Sequence, residues 1–520
     1  MKKKDTHRCS RQNQTSNGNR RHSEENINGA TSDENQSSAD NGKKGNPRKT
    51  KAQVILGLLD MIGASSFHDE AKDLYLTIPV NGHRETWPLN GKDCKTLIQG
   101  LYYIDTGDVA SAGTIGQVLA VLAAKALYDN LKPVPLSTRI VNHDGAIWYD
   151  LSNQDWQAVR VTEGRWEIVD NPPTLFRRYR HQAAQVMPQP GGDVRKILRH
   201  VKLNGQETLF LCWLICSFVP GIPHAMPILH GIQGTGKTTT CSLIKTIIDP
   251  SMLNILTLNR DMRSLVICLQ QHWFLPFDNV SKISDELSDT LCRAITGKTS
   301  QQRKLFKDAD DVIFTFKRIL ALNGINNAAH RPDLIDRALL FELQRISDSK
   351  RREEADVLSA FEADRPAILG GIFDILCKAI SIYPSVKLES MPRMADFARW
   401  GYAVGEALGG LGPEFLNQYE DNREIQNTEL ISIDPVASLV VELMARNDRW
   451  HERVSDFRLT LKGIAKDHGI NPQSKGFPKA DNALSRHLTR ITPVLEQAGI
   501  KCENSGHTRN GSYITLSRAQ

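Results

Sequence analysis

The chain has 520 residues, of which 40% are hydrophobic and 24% charged, and this composition is typical of a soluble folded protein. It excludes a collagen-like, membrane-embedded or wholly disordered chain, and the length suffices for about three domains. The net charge of +6 is uneven, because residues 1–50 hold 11 basic and 6 acidic residues, whereas the other 470 hold 54 and 53.

Residues 1–50 contain five apolar side chains and are rich in Asn, Ser, Gln and Lys. Such a segment cannot bury enough surface to offset its ordering entropy, so we predict a disordered basic tail. It is either a solvated linker or an arm that adds nonspecific affinity for nucleic acid. No apolar stretch follows the basic start, and the nine cysteines lack zinc-site spacing, so we expect a cytoplasmic protein with reduced thiols.

Residues 51–190 predict an N-terminal α+β domain. Apolar residues at helical spacing predict a helix over 115–128, with Thr114 as its N-cap. Alternating stretches at 146–151, 158–161 and 165–169 then predict an antiparallel sheet. Prolines and glycines over 172–192 mark a domain boundary, and we find no catalytic constellation before it.

Residues 191–383 alternate between helical patterns and short hydrophobic strands, which predicts an α/β domain whose parallel sheet is covered by helices. The predicted strands are Met226–His230, Trp273–Phe277, Ile319–Asn323 and Leu339–Leu343. For residues 384–433 we predict a helical connector. Residues 434–520 predict three helices and a hairpin, with the last helix over 480–497 and the hairpin pairing 500–503 with 512–516.

The most specific motif runs from Gly231 to Thr238 and matches G-x-x-x-x-G-K-[ST] in full, between a predicted strand and a predicted helix. Its glycines let backbone N–H groups point at phosphates, and the helix N-terminus reinforces them. Lys237 is expected to reach the β- and γ-phosphates of ATP, and the Thr238 hydroxyl to bind Mg²⁺. The expected nucleotide contacts are Gly231, Gln233, Gly234, Thr235, Gly236, Lys237, Thr238 and Thr239.

Polar residues end the next two predicted strands. Asp278 follows the second strand, and we predict that it orients Mg²⁺. Asn279 stands where ATPases that polarise the attacking water usually have Glu, and an amide cannot accept a proton. Either another acid takes that role or positioning by Asn279 suffices. Asn323 ends the third strand and is expected to orient the water.

Arginines follow the third strand. Arg337 is the first choice, and Arg331 the second, for a side chain that reaches a neighbouring subunit's γ-phosphate and stabilises the transition-state charge. Either arginine could instead form an ordinary surface ion pair. Arg365, at the start of an apolar helix, is a weaker candidate for a phosphate contact.

These elements in this order resemble the AAA+ ring ATPases, and their spacing is most similar to the helicase clade of minichromosome-maintenance proteins and superfamily 3 helicases. The wider run is similar to ATPases of prophages and chromosomal cassettes, which are self-loading replicative helicases; it comprises ILHGIQGTGKTTT, FLPFDNVSKISDELSDTLCRAITG, RKLFKDADD, LALNGI, RPDLIDRAL and RMADFARWG. The resemblance covers about residues 130–520 and departs at Asn279. It implies ATP and Mg²⁺ as cofactors, and a homo-oligomeric ring, a hexamer, with ATP between subunits.

Residues 301–316 consist of two alternating segments around a polar turn, which predicts a β-hairpin. In the resembled helicases such a hairpin points into the pore of the ring and grips single-stranded DNA. Lys307 is the expected phosphate contact, with Arg303 and Lys304 behind it. Because acidic residues follow the lysine, a solvated charged turn is the alternative.

The three helices and hairpin of the C-terminal domain describe a winged helix. Residues 435–520 hold 13 basic and 8 acidic residues, unlike the balanced centre. Arg486 and Arg490 are spaced i, i+4 on the last helix, and Arg509 lies at the predicted wing, which suits contacts with duplex DNA. A protein-binding winged helix is the alternative.

Together these features predict an ATP-dependent DNA helicase or translocase that acts in replication of a mobile element or phage. We expect no membrane partner. Hydrolysis would move the Lys307 hairpin along a single strand in the central pore. Two alternatives remain. The first is an initiator or loader that uses ATP as an assembly switch. The second is an ATP-binding assembly module without unwinding activity.

Overall fold

The computed structural model describes residues 49–129, 132–259, 261–280, 283–297, 300–303, 311–314, 317–324, 331–347, 349, 351–473, 477–508 and 511–518. The chain divides into two units, Met1–Lys49 and Thr50–Gln520. All elements named below belong to the second unit.

The first part of this unit is a small sheet with helices around a core of its own, which includes Leu76, Ile98 and Val118. Its elements are α1 (Lys51–Met61), β1 (Ser65–His68), β2 (Leu74–Val80), β3 (His83–Pro88), α2 (Lys92–Thr106) and α3 (Ala112–Tyr128). The predicted N-cap of α3 is wrong. Ser111 caps the helix, and its hydroxyl accepts a hydrogen bond from the backbone N–H of Thr114, which therefore lies inside the first turn.

An antiparallel sheet follows, in the order β5-β6-β7-β8, as the alternating sequence predicts. The elements are β4 (Leu136–Ser137), β5 (Ile140–His143), β6 (Ala146–Asp150), β7 (Ala158–Thr162), β8 (Arg165–Val169) and β9 (Leu175–Phe176). Tyr149 and Val159 belong to the same hydrophobic cluster as the strands beyond residue 200. The core is thus continuous across residue 190.

The central sheet has five parallel strands in the order β11-β12-β15-β10-β16. Its elements are α4 (Glu207–Cys216), β10 (Met226–His230), α5 (Lys237–Ile248), β11 (Leu256–Thr257), α6 (Met262–Gln271), β12 (Phe274–Asp278), α7 (Asp285–Thr296), β13 (Ser300–Arg303), β14 (Asp311–Phe314), β15 (Ile319–Asn323), α8 (Pro332–Ile335) and β16 (Ala338–Glu342). The predicted parallel sheet is confirmed, and β12 and β16 are each displaced by one residue. The carboxyl ends of β10, β12 and β15 meet at one edge.

Three long helices complete this core: α9 (Glu354–Ile382), α10 (Ala395–Ala407) and α11 (Gly412–Ile433). The segment Glu354–Ser385 is long and apolar enough to cross a membrane, yet 56% of its apolar window is buried inside the fold, as in a core helix. A Cβ on Gly370 would overlap the backbone carbonyl of Gln189, so this helix requires glycine there. Phe397 of α10 and Phe415 of α11 pack within the main hydrophobic cluster.

The C-terminal part has its own core, which includes Phe457, Leu488 and Leu516. Its elements are α12 (Pro435–Ala445), β17 (Arg449–Arg453), α13 (Val454–Asp467), α14 (Asp481–Gln497), β18 (Ile500–Thr508) and β19 (Gly511–Arg518). The predicted hairpin is present, with Cys502 opposite Leu516. Strand β17, which completes a three-stranded sheet, was not predicted, because its sequence RWHER lacks an apolar alternation.

A buried ionic network joins three parts of the fold. Asp249, which follows α5, accepts from Arg139 Nε at 3.0 Å and from Lys245 Nζ at 2.6 Å. These three side chains are at most 1% exposed. Lys245 Nζ also donates to the carbonyl of Phe274 at 2.7 Å, and Arg139 donates to the carbonyl of Pro250 at 3.0 Å. The network therefore fixes the far end of α5 to the first residue of β12 and to the preceding antiparallel region.

Burial and charge together set the protonation states in this network. Burial alone would raise the pKa of Asp249, but Lys245 and Arg139 hold it well below its usual value, so the carboxylate stays ionised. Burial, together with the adjacent Lys245, lowers the pKa of His272 to about 2, so this imidazole is neutral. Its Nδ1 lies 3.1 Å from Lys245 Nζ and accepts the hydrogen bond.

Replacing Asp249 with Asn should lower the free energy of unfolding by about 3–5 kcal/mol, because two buried cations lose their counter-charge. Urea denaturation followed by tryptophan fluorescence measures this change. Glu442→Gln is the control, since Glu442 pairs with Arg446 at an exposed i, i+4 position and its loss should cost less than about 1 kcal/mol. Equal, small effects of both substitutions would contradict a structural role for the network.

Candidate phosphate-binding site

The glycine-rich loop connects β10 to α5 and lies at the N-terminus of that helix. Gly231, Gly234 and Gly236 have φ angles of +144°, +86° and +76°, in the region that favours glycine. A Cβ on Gly231 would also lie 3.0 Å from the carbonyl oxygen of Leu343. Gly236 is the N-cap of α5 and has no side chain to satisfy the first amides of the helix, so these N–H groups can bind an anion.

The cationic group of the loop is folded over its backbone. Lys237 Nζ donates to the carbonyl oxygens of Gly231 at 2.8 Å and Ile232 at 3.1 Å. Thr235 is buried and its hydroxyl donates to the same Ile232 carbonyl at 3.2 Å. Gln233 is exposed on the rim. The loop thus presents a concave backbone surface with one ammonium group, which is the arrangement that binds a polyphosphate.

Three polar side chains meet beside this loop at the edge of the sheet. The Thr238 hydroxyl donates to Asp278 Oδ2 at 2.9 Å, and Asn323 Nδ2 donates to Asp278 Oδ1 at 2.6 Å. Asn323 Nδ2 also lies 3.3 Å from the Thr238 hydroxyl, and Asn323 is only 2% exposed. Mg²⁺ in nucleotide sites takes one or two protein oxygens together with phosphate oxygens and water, so Thr238 and Asp278 fit this ion.

The backbone explains why Asn stands at position 279. Its φ is +54°, in the left-handed region that Asn tolerates better than Glu does. Its N–H donates to Asp278 Oδ1 at 2.8 Å, so the turn itself helps to orient the carboxylate. The Asn279 side chain is exposed. A bulkier acid here would add strain, so Asn279 shapes the turn after the strand.

The two candidate arginines differ in accessibility. Arg337 is folded back on α8, the short helix before it, with Nη1 donating to the Asp333 carbonyl and lying 3.6 Å from the Asp333 carboxylate. Its side chain is 13% exposed. Arg331 Nη1 donates to Asp289 Oδ1 at 2.8 Å, and its side chain is 37% exposed. The first-choice residue is therefore the less accessible of the two, and both form intramolecular ion pairs.

A third arginine in this cluster was not singled out from the sequence, although it opens the run RMADFARWG. Arg393 pairs with Asp333 at 2.7 Å and also with Asp336. The hydrogen bond from Arg393 holds the pKa of Asp333 below its usual value, and burial partly opposes this shift. Arg393 thus anchors α8, the short helix that precedes Arg337. Its role depends on a contact 57 to 60 residues away along the chain, which no local pattern reveals.

The prediction of a phosphate contact by Arg365 is wrong. Its Nε donates to Gln185 Oε1 at 2.9 Å, and its Nη1 pairs with Glu362. Gln185 in turn donates to the carbonyl of Ile247, at the opposite end of α5 from the phosphate loop. Arg365 also lies well inside α9 and not, as the sequence had suggested, at the start of a helix.

The predicted DNA contacts are described only in part. Lys304, Lys307 and Arg509 lie outside the described residues. Arg303 ends β13, which pairs antiparallel with β14, so the two strands of the predicted hairpin are present. Arg486 and Arg490 are both exposed on α14.

The surroundings of these two arginines differ. Arg486 Nε donates to the carbonyl of Asn482 at 3.3 Å, within its own helix. Arg490 Nη2 lies 3.0 Å from His487 Nδ1 and 4.0 Å from Asp434 Oδ2. Arg490 also lines a cleft shared with Arg331. It therefore lies beside residues of the central part of the chain, whereas the i, i+4 spacing predicted only that the two arginines share one face of the helix.

Both the central part and the C-terminal part of the chain match known protein families. Residues 194–418 match the sequence model of the family described as actinomycete integrative conjugative element replication protein. Residues 436–520 match that of the AICE RepA C-terminal domain. The chain therefore resembles replication proteins of mobile elements over both its central and its C-terminal parts. No curated protein matches it significantly.

Solved structures that align with this chain include Cch of SCCmec type IV, described as an active helicase, with a TM-score of 0.47 and 12% identity over 88% of this chain and 92% of that one. A second is the apo C-terminal region of NrS-1, with a TM-score of 0.41 and 12% identity over 91% of this chain and 100% of that one.

Asp278→Asn should abolish the effect of Mg²⁺ on nucleotide affinity, because the neutral amide replaces the only charged member of the Thr238–Asp278–Asn323 cluster. Titration of a fluorescent ATP analogue, with Mg²⁺ and with a chelator, measures this effect. We expect Mg²⁺ to strengthen binding to the wild type at least about tenfold, which corresponds to about 1.4 kcal/mol. Asp155→Asn, at an exposed turn, is the control. A retained Mg²⁺ effect in the Asp278 variant would refute the assignment.

Proposed function

We propose that this chain is an ATP-driven motor that acts on DNA during replication of a mobile element. The observation that carries this proposal is the convergence of Thr238, Asp278 and Asn323 beside the phosphate loop. The resemblance to integrative conjugative element replication proteins supports the biological setting. The five-stranded parallel sheet, with the phosphate loop after a central strand, supports an AAA+ type of ATPase domain.

Within one subunit, the loop amides and Lys237 bind the phosphates of ATP. Thr238 and Asp278 would hold Mg²⁺, which would supply positive charge to offset that of the phosphates. The buried Asn323 amide is fixed by Asp278, so it can hold a water molecule in line with the terminal phosphate. These residues accelerate phosphoryl transfer by positioning and electrostatics, since the reaction asks little covalent chemistry of the protein.

The residue after Asp278 is not an acid, so another group would have to orient the water that attacks the γ-phosphate. The exposed Asn279 cannot take a proton, so hydrolysis depends on positioning by Asn323 and on cations around the phosphates. This favours a slow basal rate, and it supports the second candidate function, an initiator or loader for which ATP is an assembly switch. Unwinding activity separates these two functions.

In a ring of subunits, an arginine from the neighbouring subunit would add a further cation beside the γ-phosphate. Arg331 is the more exposed candidate for contact with a neighbour's γ-phosphate, and Arg337 would have to leave Asp333 to reach it. Arg393 also pairs with Asp333, so this carboxylate would keep a partner after Arg337 leaves it, and this favours the release of Arg337. A ring of six subunits, as in the resembled helicases, would place one such site at each subunit interface.

DNA would be contacted by two parts of the chain. The β13–β14 hairpin would carry Arg303, Lys304 and Lys307 toward single-stranded DNA in the pore. The C-terminal part has the order helix, strand, two helices and two strands, which is that of a winged helix. Arg486, with Arg509, would then contact duplex phosphates, and Arg490 would lie nearer the ATPase domain.

Lys237→Ala should abolish ATP hydrolysis and strand displacement, because the loop loses the cation that balances the phosphate charge. The measurements are phosphate release and unwinding of a forked duplex by the full chain. Lys387→Ala, at an exposed lysine far along the sequence, should leave both unchanged. Normal unwinding by the Lys237 variant would refute the site.

Lys307→Ala should keep at least half of the ATPase rate and lose unwinding, because a phosphate contact on the hairpin couples hydrolysis to movement. The same two assays, with single-stranded DNA added to the ATPase reaction, measure the separation. Parallel loss of both activities would contradict the coupling. A wild type that hydrolyses ATP and binds DNA without displacing a strand would identify an initiator or loader instead. A wild type whose ATPase activity is independent of DNA, and which has no DNA affinity at low salt, would identify the assembly module.

A further inference from the structure

The segment that follows β16 lies against the phosphate loop. Leu343 N–H donates to the carbonyl of His230 at 3.0 Å, so the chain continues alongside the loop after the strand ends. A Cβ on Gly231 would lie 3.0 Å from the Leu343 carbonyl oxygen, and one on Gly236 would lie 3.6 Å from Ile346 Cδ1. Two glycines of the loop are thus covered by Leu343 and Ile346 of this segment.

The third glycine faces a charged side chain from the same segment. A Cβ on Gly234 would lie 2.9 Å from Arg351 Nη2 and 3.8 Å from Arg351 Cζ. The guanidinium of Arg351 therefore reaches the backbone of the loop itself. Gly234 and Arg351 are both exposed, so this contact is open to solvent.

We propose that Arg351 contacts the terminal phosphates of the nucleotide bound in its own subunit. The inference rests on the proposed nucleotide-binding function and adds a residue to it. A guanidinium offers several donors in a planar fork that matches two phosphate oxygens at once. Lys237 Nζ lies on the carbonyl oxygens of Gly231 and Ile232, and the Arg351 guanidinium lies beside Gly234. The β- and γ-phosphates would therefore meet two cations, an ammonium and a guanidinium.

This assignment links nucleotide binding to a large helix. Arg351 lies three residues before α9, the long core helix that begins at Glu354. A contact between Arg351 and the terminal phosphates therefore connects the occupancy of the loop to the start of α9 within the same subunit. Arg331 and Arg337, by contrast, follow β15 and precede β16, and their proposed phosphate contact is in a neighbouring subunit.

The experiment compares Arg351→Ala with Arg352→Ala, which removes the next arginine and is also exposed. Affinity of the full chain for a nonhydrolysable ATP analogue and for ADP is measured by titration with Mg²⁺ present. Arg351→Ala should weaken binding of the analogue at least tenfold, and Arg352→Ala less than twofold. Arg351→Lys keeps the charge but loses the fork, so it should fall between the two.

Thermal unfolding without nucleotide separates a folding defect from a binding defect, since both alanine variants should unfold at the wild-type temperature. If Arg351→Ala unfolds early, the Arg351→Lys variant decides, and wild-type affinity in that variant overturns the assignment. Equal affinities of the two alanine variants overturn the role of Arg351 and leave the proposed nucleotide site standing. A wild type that binds neither nucleotide overturns both.

Discussion

The parallel pairing of β12 with β15 is the constraint on which the candidate site depends. It places Asp278 and Asn323, 45 residues apart in sequence, within 2.6 Å of each other. β10 lies on the other side of β15, and α5, which follows its loop, delivers Thr238 to the same point. If the register between β12 and β15 shifted by one residue, alternate side chains would exchange faces and the cluster would be lost.

Much of this arrangement could be predicted from the sequence, because buried parallel strands are short apolar runs and the phosphate loop has a specific motif. The strands that carry Asp278 and Asn323 were located to within one residue. Other features depend on tertiary packing and could not be predicted. β17 was missed because a half-buried edge strand of charged residues has no apolar alternation. The approach of Arg351 to Gly234 depends on how the chain turns after β16, which no local pattern determines.

The charged residues around α8 show how the same side chains can serve two states. Arg337 is satisfied within its own subunit by Asp333, and Arg393 binds the same carboxylate. In an isolated chain, both arginines therefore have a carboxylate partner at this position. Breaking one of these ion pairs would cost little free energy, because ion pairs near the surface contribute little to stability. A neighbouring phosphate would offer Arg337 a stronger partner, and Arg393 would keep Asp333 from being left alone.

The Arg139–Asp249–Lys245 network has a consequence for how the protein can be divided. The cation that balances Asp249 comes in part from residue 139, well before the loop, and the hydrophobic core is continuous across residue 190. A fragment that starts near residue 191 would leave the buried Asp249 carboxylate with Lys245 but without Arg139. It would also expose the apolar surface of the central part that the antiparallel sheet covers. The smallest part of the chain that folds around the phosphate loop should therefore include this upstream sheet, because the sheet belongs to the same hydrophobic core.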